Sequence, residues 1–289
     1  MSSKTSNFVS RSFGIAALQL KLDETDNLEL LLQKIQRTKL RYPWVKMIVL
    51  SELALRGVGA QHARELPSPE EEAFCHAARE LGIWLIPGSM YEKCGSAVFN
   101  TTPVINPEGE VIARYRKIYP FLPYEKGVTA GDQFVVFDVP EIGRFGVSIC
   151  YDMWFPETTR AMVWLGAEVI IHPTKTDTID RLDELSMVRA SAAMNQCYIV
   201  DVNSAGAQGV GRSIIVGPEG ETIHEASVEE EIVAFEVDVE KVTQVRERGM
   251  KGLGQTLKSF RDGRVHYPQY EPGAVSPALE QLGELKVPE

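Results

Sequence analysis

The segment FGVSICYDMWFPETTR (145–160) carries a cysteine to the end of an apolar run and turns immediately after it. A thiol so placed either packs in the core or is presented to a substrate. Free cysteine is usually a small buried hydrophobe. However, loops at the carboxyl ends of strands in α/β sheets are where ligands bind, and a sharp strand-to-helix turn exposes a reactive atom. Cys150 therefore stands apart from the other three cysteines. Cys75 falls inside a helical pattern, Cys197 opens a strand-like run, and Cys94 sits in the loop YEKCGSA. An ordinary thiol, with a pKa of about 8.5, is only a few per cent thiolate at neutral pH, so it needs a partner. His172, between AEVII and a proline, either lines the same sheet mouth or is a loop residue. Glu52 ends the run MIVLSE. A carboxylate there is costly without a partner, and a buried one with a raised pKa serves as a base. Lys117, in ARYRKIYPF, is a cation that would fit, although the segment by itself reads as a solvated basic loop.

The elements that must position these residues are legible as pattern. Strand-like runs rich in Val and Ile occur at 14–20, 47–52, 83–90, 96–105, 133–139, 145–152, 167–173, 197–206, 213–218 and 232–239. Helical spacing appears in 25–40, 68–82, 157–166 and 180–195. This alternation predicts an α/β fold. The turn signals NPEG (106–109) and GPEG (217–220) predict two hairpins, one in each half, and suggest an internal pseudo-repeat. Residues 1–11 are polar and read as a flexible arm, 12–249 as the domain body, and 250–289 as an extended tail of little period that packs on another subunit. Asp152 and Glu157 read as fixing the turn after Cys150, with Arg160 paired to one of them.

Composition narrows the function. The chain has 289 residues, 44% hydrophobic and 24% charged, with a net charge of −10. That balance argues against nucleic acid and anionic membranes as partners. No apolar run approaches the roughly 18 residues of a membrane span. The N-terminus lacks the apolar stretch of a signal peptide. Four scattered cysteines favour reduced thiols and a cytoplasmic setting over a disulfide frame or zinc site.

Three of these segments together resemble the nitrilase superfamily of carbon–nitrogen hydrolases. IVLSELALRG matches its glutamate motif at Glu52, INPEGEVIARYRKIYPF its lysine motif at Lys117, and GVSICYDMWFPETTR its cysteine motif at Cys150. Downstream, RASAAMNQCYIVDVNSAG and GRSIIVGPEGETI look like its closing helix, strand and hairpin. The resemblance covers roughly residues 12–245. It implies a four-layer α-β-β-α sandwich, dimers joined through helices, and a tail reaching across the interface. It also implies a thioester mechanism. Glu52 would be the base, Cys150 the nucleophile, and Lys117 with the Tyr151 backbone N–H the oxyanion donors. Glu125, in PFLPYEKGVTAGD, fits the family's supporting glutamate. No metal or organic cofactor is required.

The substrate branch follows from the residues after Cys150. Tyr151-Asp152 looks like the amidase side of the family. Carbamoyl-amino-acid hydrolases tend to carry two arginines where this chain has Met153 and Trp154. Met153 and Trp154 are either core or an apolar pocket wall. His172, Thr174, Lys175 and Arg212 remain as polar substrate contacts. The expectation is a neutral or weakly polar carboxamide as small-molecule partner, with ammonia and a carboxylic acid as products. The alternatives are an N-carbamoyl amino acid amidohydrolase and a catalytically silent binding subunit. A thiol oxidoreductase fits poorly, because no second cysteine lies close to Cys150 to resolve it.

Overall fold

The structure, a computed structural model, describes residues 10–122 and 124–286. In chain order the first strands are β1 (Ser12–Gln19), β2 (Met47–Leu50), β3 (Trp84–Ile86), β4 (Met90–Cys94), β5 (Ala97–Ile105) and β6 (Val111–Arg116). There follow β7 (Val135–Val139), β8 (Gly143–Val147), β9 (Val169–Pro173), β10 (Tyr198–Val202), β11 (Ile214–Val216), β12 (Thr222–Glu225) and β13 (Glu231–Asp238). The main helices are α1 (Leu28–Arg41), α2 (Pro69–Leu81), α3 (Pro156–Trp164), α4 (Arg181–Asn195), α5 (Val239–Arg248) and α6 (Thr256–Asp262).

The strands form two sheets. One runs β13-β1-β2-β3-β5-β4, with β6 also paired to β5; the other runs β12-β11-β10-β9-β8-β7. Each contains a parallel trio, β1-β2-β3 and β8-β9-β10. Parallel strands are covered on both faces, so they read as continuous apolar runs. MIVL of β2 and VII of β9 are fully buried. Inner faces of both sheets meet in one core that includes Ile15, Val49, Phe145 and Val200. Leu31 and Ile35 of α1 and Phe74 of α2 cover the outside of the first sheet. Met162 of α3 with Leu185 and Val188 of α4 cover the second. These are the four layers of an α-β-β-α sandwich.

Local signals explain most boundaries. Ser68 Oγ accepts the Glu71 N–H at 3.3 Å to start α2, and Gly82 closes it at φ +59°. Both expected hairpins form, with Gly109 and Gly220 at φ +77° and +79° in their turns, as left-handed turn positions favour.

One helix was not predicted, and two expectations need correction. The helix is α5, whose buried Val239, Val242 and Val245 are β-branched residues of lower helix propensity. After Met250 the chain is not uniformly extended, because it forms α6 and docks on its own body. Phe260 packs edge-on against Trp164 with ring centres 5.9 Å apart, and Thr256 donates to the Met194 carbonyl at 3.2 Å. Arg160 pairs with neither Asp152 nor Glu157. It donates to the Met194 carbonyl and lies over the Phe260 ring. Residues 1–9 of the expected flexible arm lie outside the described residues. Arg11, at its end, ties the layers together through the Ile142 carbonyl (2.7 Å), Glu168 and Thr243.

One contact sets the end of β2. A Cβ on Gly88, at φ +76°, would lie 1.8 Å from the Ser51 carbonyl oxygen. Gly88→Ala must therefore displace the residue before Glu52. Urea unfolding should show a loss of about 1–3 kcal/mol, with activity reduced beyond the loss of folded protein. Unchanged stability would mean that the end of β2 moves freely.

Candidate active site

The carboxyl ends of β2, β8 and β9 face one another across the sandwich. Glu52 follows β2, and its backbone N–H donates to the Thr174 carbonyl just past β9 at 3.2 Å, joining the two sheets. Lys117 follows β6, and its N–H donates to the Asn100 carbonyl on β5 at 2.8 Å. Its ammonium donates to Glu52 Oε1 at 2.9 Å and to Glu125 Oε2 at 2.7 Å. Asn100 Nδ2 reaches both carboxylates, at 2.9 Å and 3.2 Å. Glu125 is also held by its own loop, accepting the Phe121 N–H at 2.6 Å.

Lys117 is 1% exposed. Burial pushes its pKa down, but Glu52, Cys150 and Glu125 outweigh this and hold it well above the ordinary lysine value. Burial likewise pushes Glu125 up, but Lys117 and the hydrogen bonds bring its pKa below the usual carboxylate value. The cluster is thus a charged lysine clasped by two glutamates and largely shielded from solvent.

Cys150 begins a 3-10 turn, Cys150–Trp154, directly after β8. Its φ of +47° lies in the left-handed region, a conformation that costs about 1–3 kcal/mol and persists only when neighbours enforce it. Asp152 is the enforcing residue. Its Oδ2 accepts the Ile149 N–H at 2.9 Å and the Tyr115 hydroxyl at 2.6 Å, while Oδ1 accepts the Tyr119 N–H at 2.9 Å. It pins the cysteine turn to the segment that carries Lys117. Burial raises its pKa to about 6, against the pull of these three donors. Asp152 thus fixes the turn as expected, whereas Glu157 accepts from the Tyr270 hydroxyl instead. Burial and then Glu52 raise the Cys150 thiol well above its ordinary pKa, while Lys117 and the Thr174 hydroxyl draw it down.

Glu52, Lys117, Glu125 and Cys150 all line one cavity of about 520 Å³. Tyr151, Trp154, Phe121 and Tyr124 form an aromatic side, with Phe121 and Tyr151 ring centres 4.9 Å apart. The polar side comes from the segment 175–180 and Glu184.

The other expected substrate contacts fall differently. Trp154 lines the cavity, but Met153 is buried in the core between α3 and α4. His172 is buried behind the site, 2.8 Å from Ser148 Oγ through Nδ1 and 3.8 Å from Asp201 through Nε2. Burial lowers its pKa to about 4, so it is a neutral spacer and not a cavity residue. Thr174 touches the thiol but does not line the cavity wall. Lys175 does line it, 3.4 Å from Asp177, while Arg212 pairs with Glu225 elsewhere. Sequence reasoning missed Asn100 and Glu184. A lone amide inside the run SAVFNTTPVI was the available signal for Asn100.

The carbon–nitrogen hydrolase family profile matches residues 14–247. The chain belongs to that family. Omega-amidase NIT2 of Homo sapiens is 28% identical over 258 residues, covering 82% of this chain and 92% of the relative. A formamidase of Bacillus cereus is 28% identical over 247 residues, covering 81% of this chain and 74% of the relative. Among solved structures, Saccharomyces cerevisiae Nit3, a member of branch 10 of the nitrilase superfamily, superposes with a TM-score of 0.76. It is 27% identical, with 84% of this chain and 96% of that one covered.

The Asp152 clasp can be tested directly. In Asp152→Asn an amide NH2 must face either the Tyr119 N–H or the pair from Ile149 and Tyr115, leaving a buried donor without an acceptor. Chemical denaturation should show a loss of about 1–3 kcal/mol, and the Cys150 turn should relax. Full stability with full activity would show that the turn holds without the clasp.

Proposed function

We propose that this chain hydrolyses a carboxamide to a carboxylic acid and ammonia through a thioester on Cys150. The observation that carries this reading is the buried Glu52–Lys117–Glu125 cluster beside a strained cysteine at the floor of one cavity. The amidase names of the relatives support the same reaction class.

The resting thiol keeps its proton, because burial and Glu52 disfavour the thiolate. In the substrate complex Glu52 accepts that proton as sulfur attacks the amide carbon. Negative charge moves onto the carbonyl oxygen, where Lys117 and the Tyr151 backbone N–H stabilise it. Glu52 returns the proton to the amide nitrogen, the C–N bond breaks, and ammonia leaves. Glu52 then takes a proton from water, whose oxygen attacks the thioester; the C–S bond breaks, the acid leaves, and Glu52 returns the proton to the departing sulfur to restore the thiol. Glu125 holds Lys117 in place and orients the substrate nitrogen. Trp154 occupies a position where a carbamoyl-amino-acid hydrolase would present a cation, which favours a carboxamide over an N-carbamoyl amino acid. Four free cysteines favour a reducing compartment, the cytoplasm.

Ammonia release from carboxamides, N-carbamoyl amino acids and nitriles tests this reading. Carboxamides should be turned over, and Cys150→Ala should lower the rate by at least about a thousandfold. Mass spectrometry of acid-quenched enzyme should show the acyl group on Cys150. Turnover that survives in Cys150→Ala would overturn the mechanism. Lys117→Met is less diagnostic, because it leaves two carboxylates buried without their cation and should cost about 3–5 kcal/mol of stability.

The working unit in this reading is a homodimer, with the tail beyond Tyr270, whose hydroxyl still bonds Glu157 of its own body, crossing to the partner. Val275, Leu279 and Leu282 on that stretch expose 69%, 65% and 77% of their surface, more apolar area than a free tail has reason to display. Light scattering should give twice the chain mass, and truncation after Glu271 should shift it toward the monomer. An unchanged dimer after truncation would remove the tail from the interface.

A further inference from the structure

The catalytic floor of the cavity has its own cation, since Lys117 stands between Glu52 and Glu125. The outer wall is different. There Asp177, Asp180 and Glu184 face Lys175, the one cation of that wall among the described residues, and Lys175 already lies 3.4 Å from Asp177. Behind the wall, the Arg181 guanidinium is shared, bonding Glu184 Oε2 at 3.0 Å and also Asp201. The neutral His172 adds no charge on the far side of Asp201. One cation therefore answers two buried carboxylates.

Glu184 is the member of this group that reaches the cavity. It is 6% exposed. Its Oε2 accepts from Thr176 Oγ1 at 2.7 Å and from Arg181. Both of its hydrogen bonds among the described residues fall on Oε2, which leaves Oε1 free to accept, and the residue lines the cavity. A nine-tenths buried carboxylate with one oxygen still free to accept thus lines the cavity that holds Cys150. Glu184 and Cys150 line the same cavity, and the charge of Glu184 is among the causes that raise the thiol's pKa. Burial raises the pKa of Glu184 itself despite Arg181 and Thr176, as expected where positive charge is in deficit.

We propose that Glu184 is a specificity residue, receiving a protonated amine or guanidinium carried by the acyl chain of the amide substrate. The proposal rests on the amidase reading and revises its expectation of a neutral acyl group. A carboxylate at the same place would meet three acids and a lysine already engaged. A methyl group would leave Oε1 without a partner.

The test is a charge series of equal length: δ-aminovaleramide, hexanamide and adipic acid monoamide. Wild-type kcat/KM should favour the cationic amide over the neutral one by on the order of tenfold to a hundredfold, with the anionic amide poorest. Added salt should narrow the gap. In Glu184→Gln the cationic-to-neutral ratio should fall at least about tenfold. Should that variant fold poorly, the wild-type series and its salt dependence still decide. Binding of the three amides to Cys150→Ala, measured by calorimetry, separates this proposal from the one beneath it. Preference for the cation in binding without turnover in the wild type would sink the amidase reading and keep the cation site. Turnover of all three at equal kcat/KM would do the reverse. An anionic preference, or no preference in either measurement, would overturn the cation site.

Discussion

Everything in the site depends on keeping one buried ammonium ion charged. Lys117 is almost wholly shielded from solvent, and a lone charge there would cost several kcal/mol and shed its proton instead. Two carboxylates prevent this, and they come from distant parts of the chain. Glu52 arrives at the end of β2, while Glu125 comes from the loop after β6. The pairing of β5 with β6, Thr101 opposite Arg116, brings Asn100 beside Lys117 so that its amide can bridge both acids. The register of a single hairpin thus decides whether the cluster is complete.

The same charges explain why Cys150 rests as a thiol. Lys117 draws its pKa down, but burial and Glu52 push harder the other way. A permanent thiolate would compete with the developing oxyanion for Lys117. In the proposed reaction, holding the proton until a carbonyl oxygen is available to take the charge would direct the lysine's field toward the transition state. The strained backbone of Cys150 and the Asp152 clasp serve this by fixing the thiol in direction and not only in position.

Much of this was legible in the sequence because parallel strands write themselves as apolar runs, and a polar residue ending such a run is conspicuous. Glu52 and Cys150 announce themselves that way. Lys117 does not, because ARYRK is basic throughout, and Glu125 follows only from the family resemblance. Asn100 sits mid-strand, where one amide among threonines carries little signal. Glu184 lies in the first turn of α4, where an acid is ordinarily read as a complement to the helix dipole. His172 was misplaced by the two-residue period of a strand. It follows the right run, but its ring turns toward Ser148 and Asp201 and away from the cavity. The helix α5 was also missed, because its buried face is made of three valines, which are weak helix formers.

Floor and wall of the cavity are built on one plan, a single cation shared by two buried carboxylates. In the floor the surplus acid has a task under the proposed mechanism, in which Glu52 takes a proton and returns it. In the wall no reacting proton calls on Glu184, so its surplus charge persists and acts at a distance, raising the pKa of the Cys150 thiol. A cationic acyl chain seated against Glu184 would offset that field. The thiol would then lose its proton more readily with the right substrate bound than in the empty site. A neutral chain of the same length would leave the field in place. Under the proposed specificity the wall would do more than select for charge, because it would couple recognition of the remote cation to activation of the nucleophile.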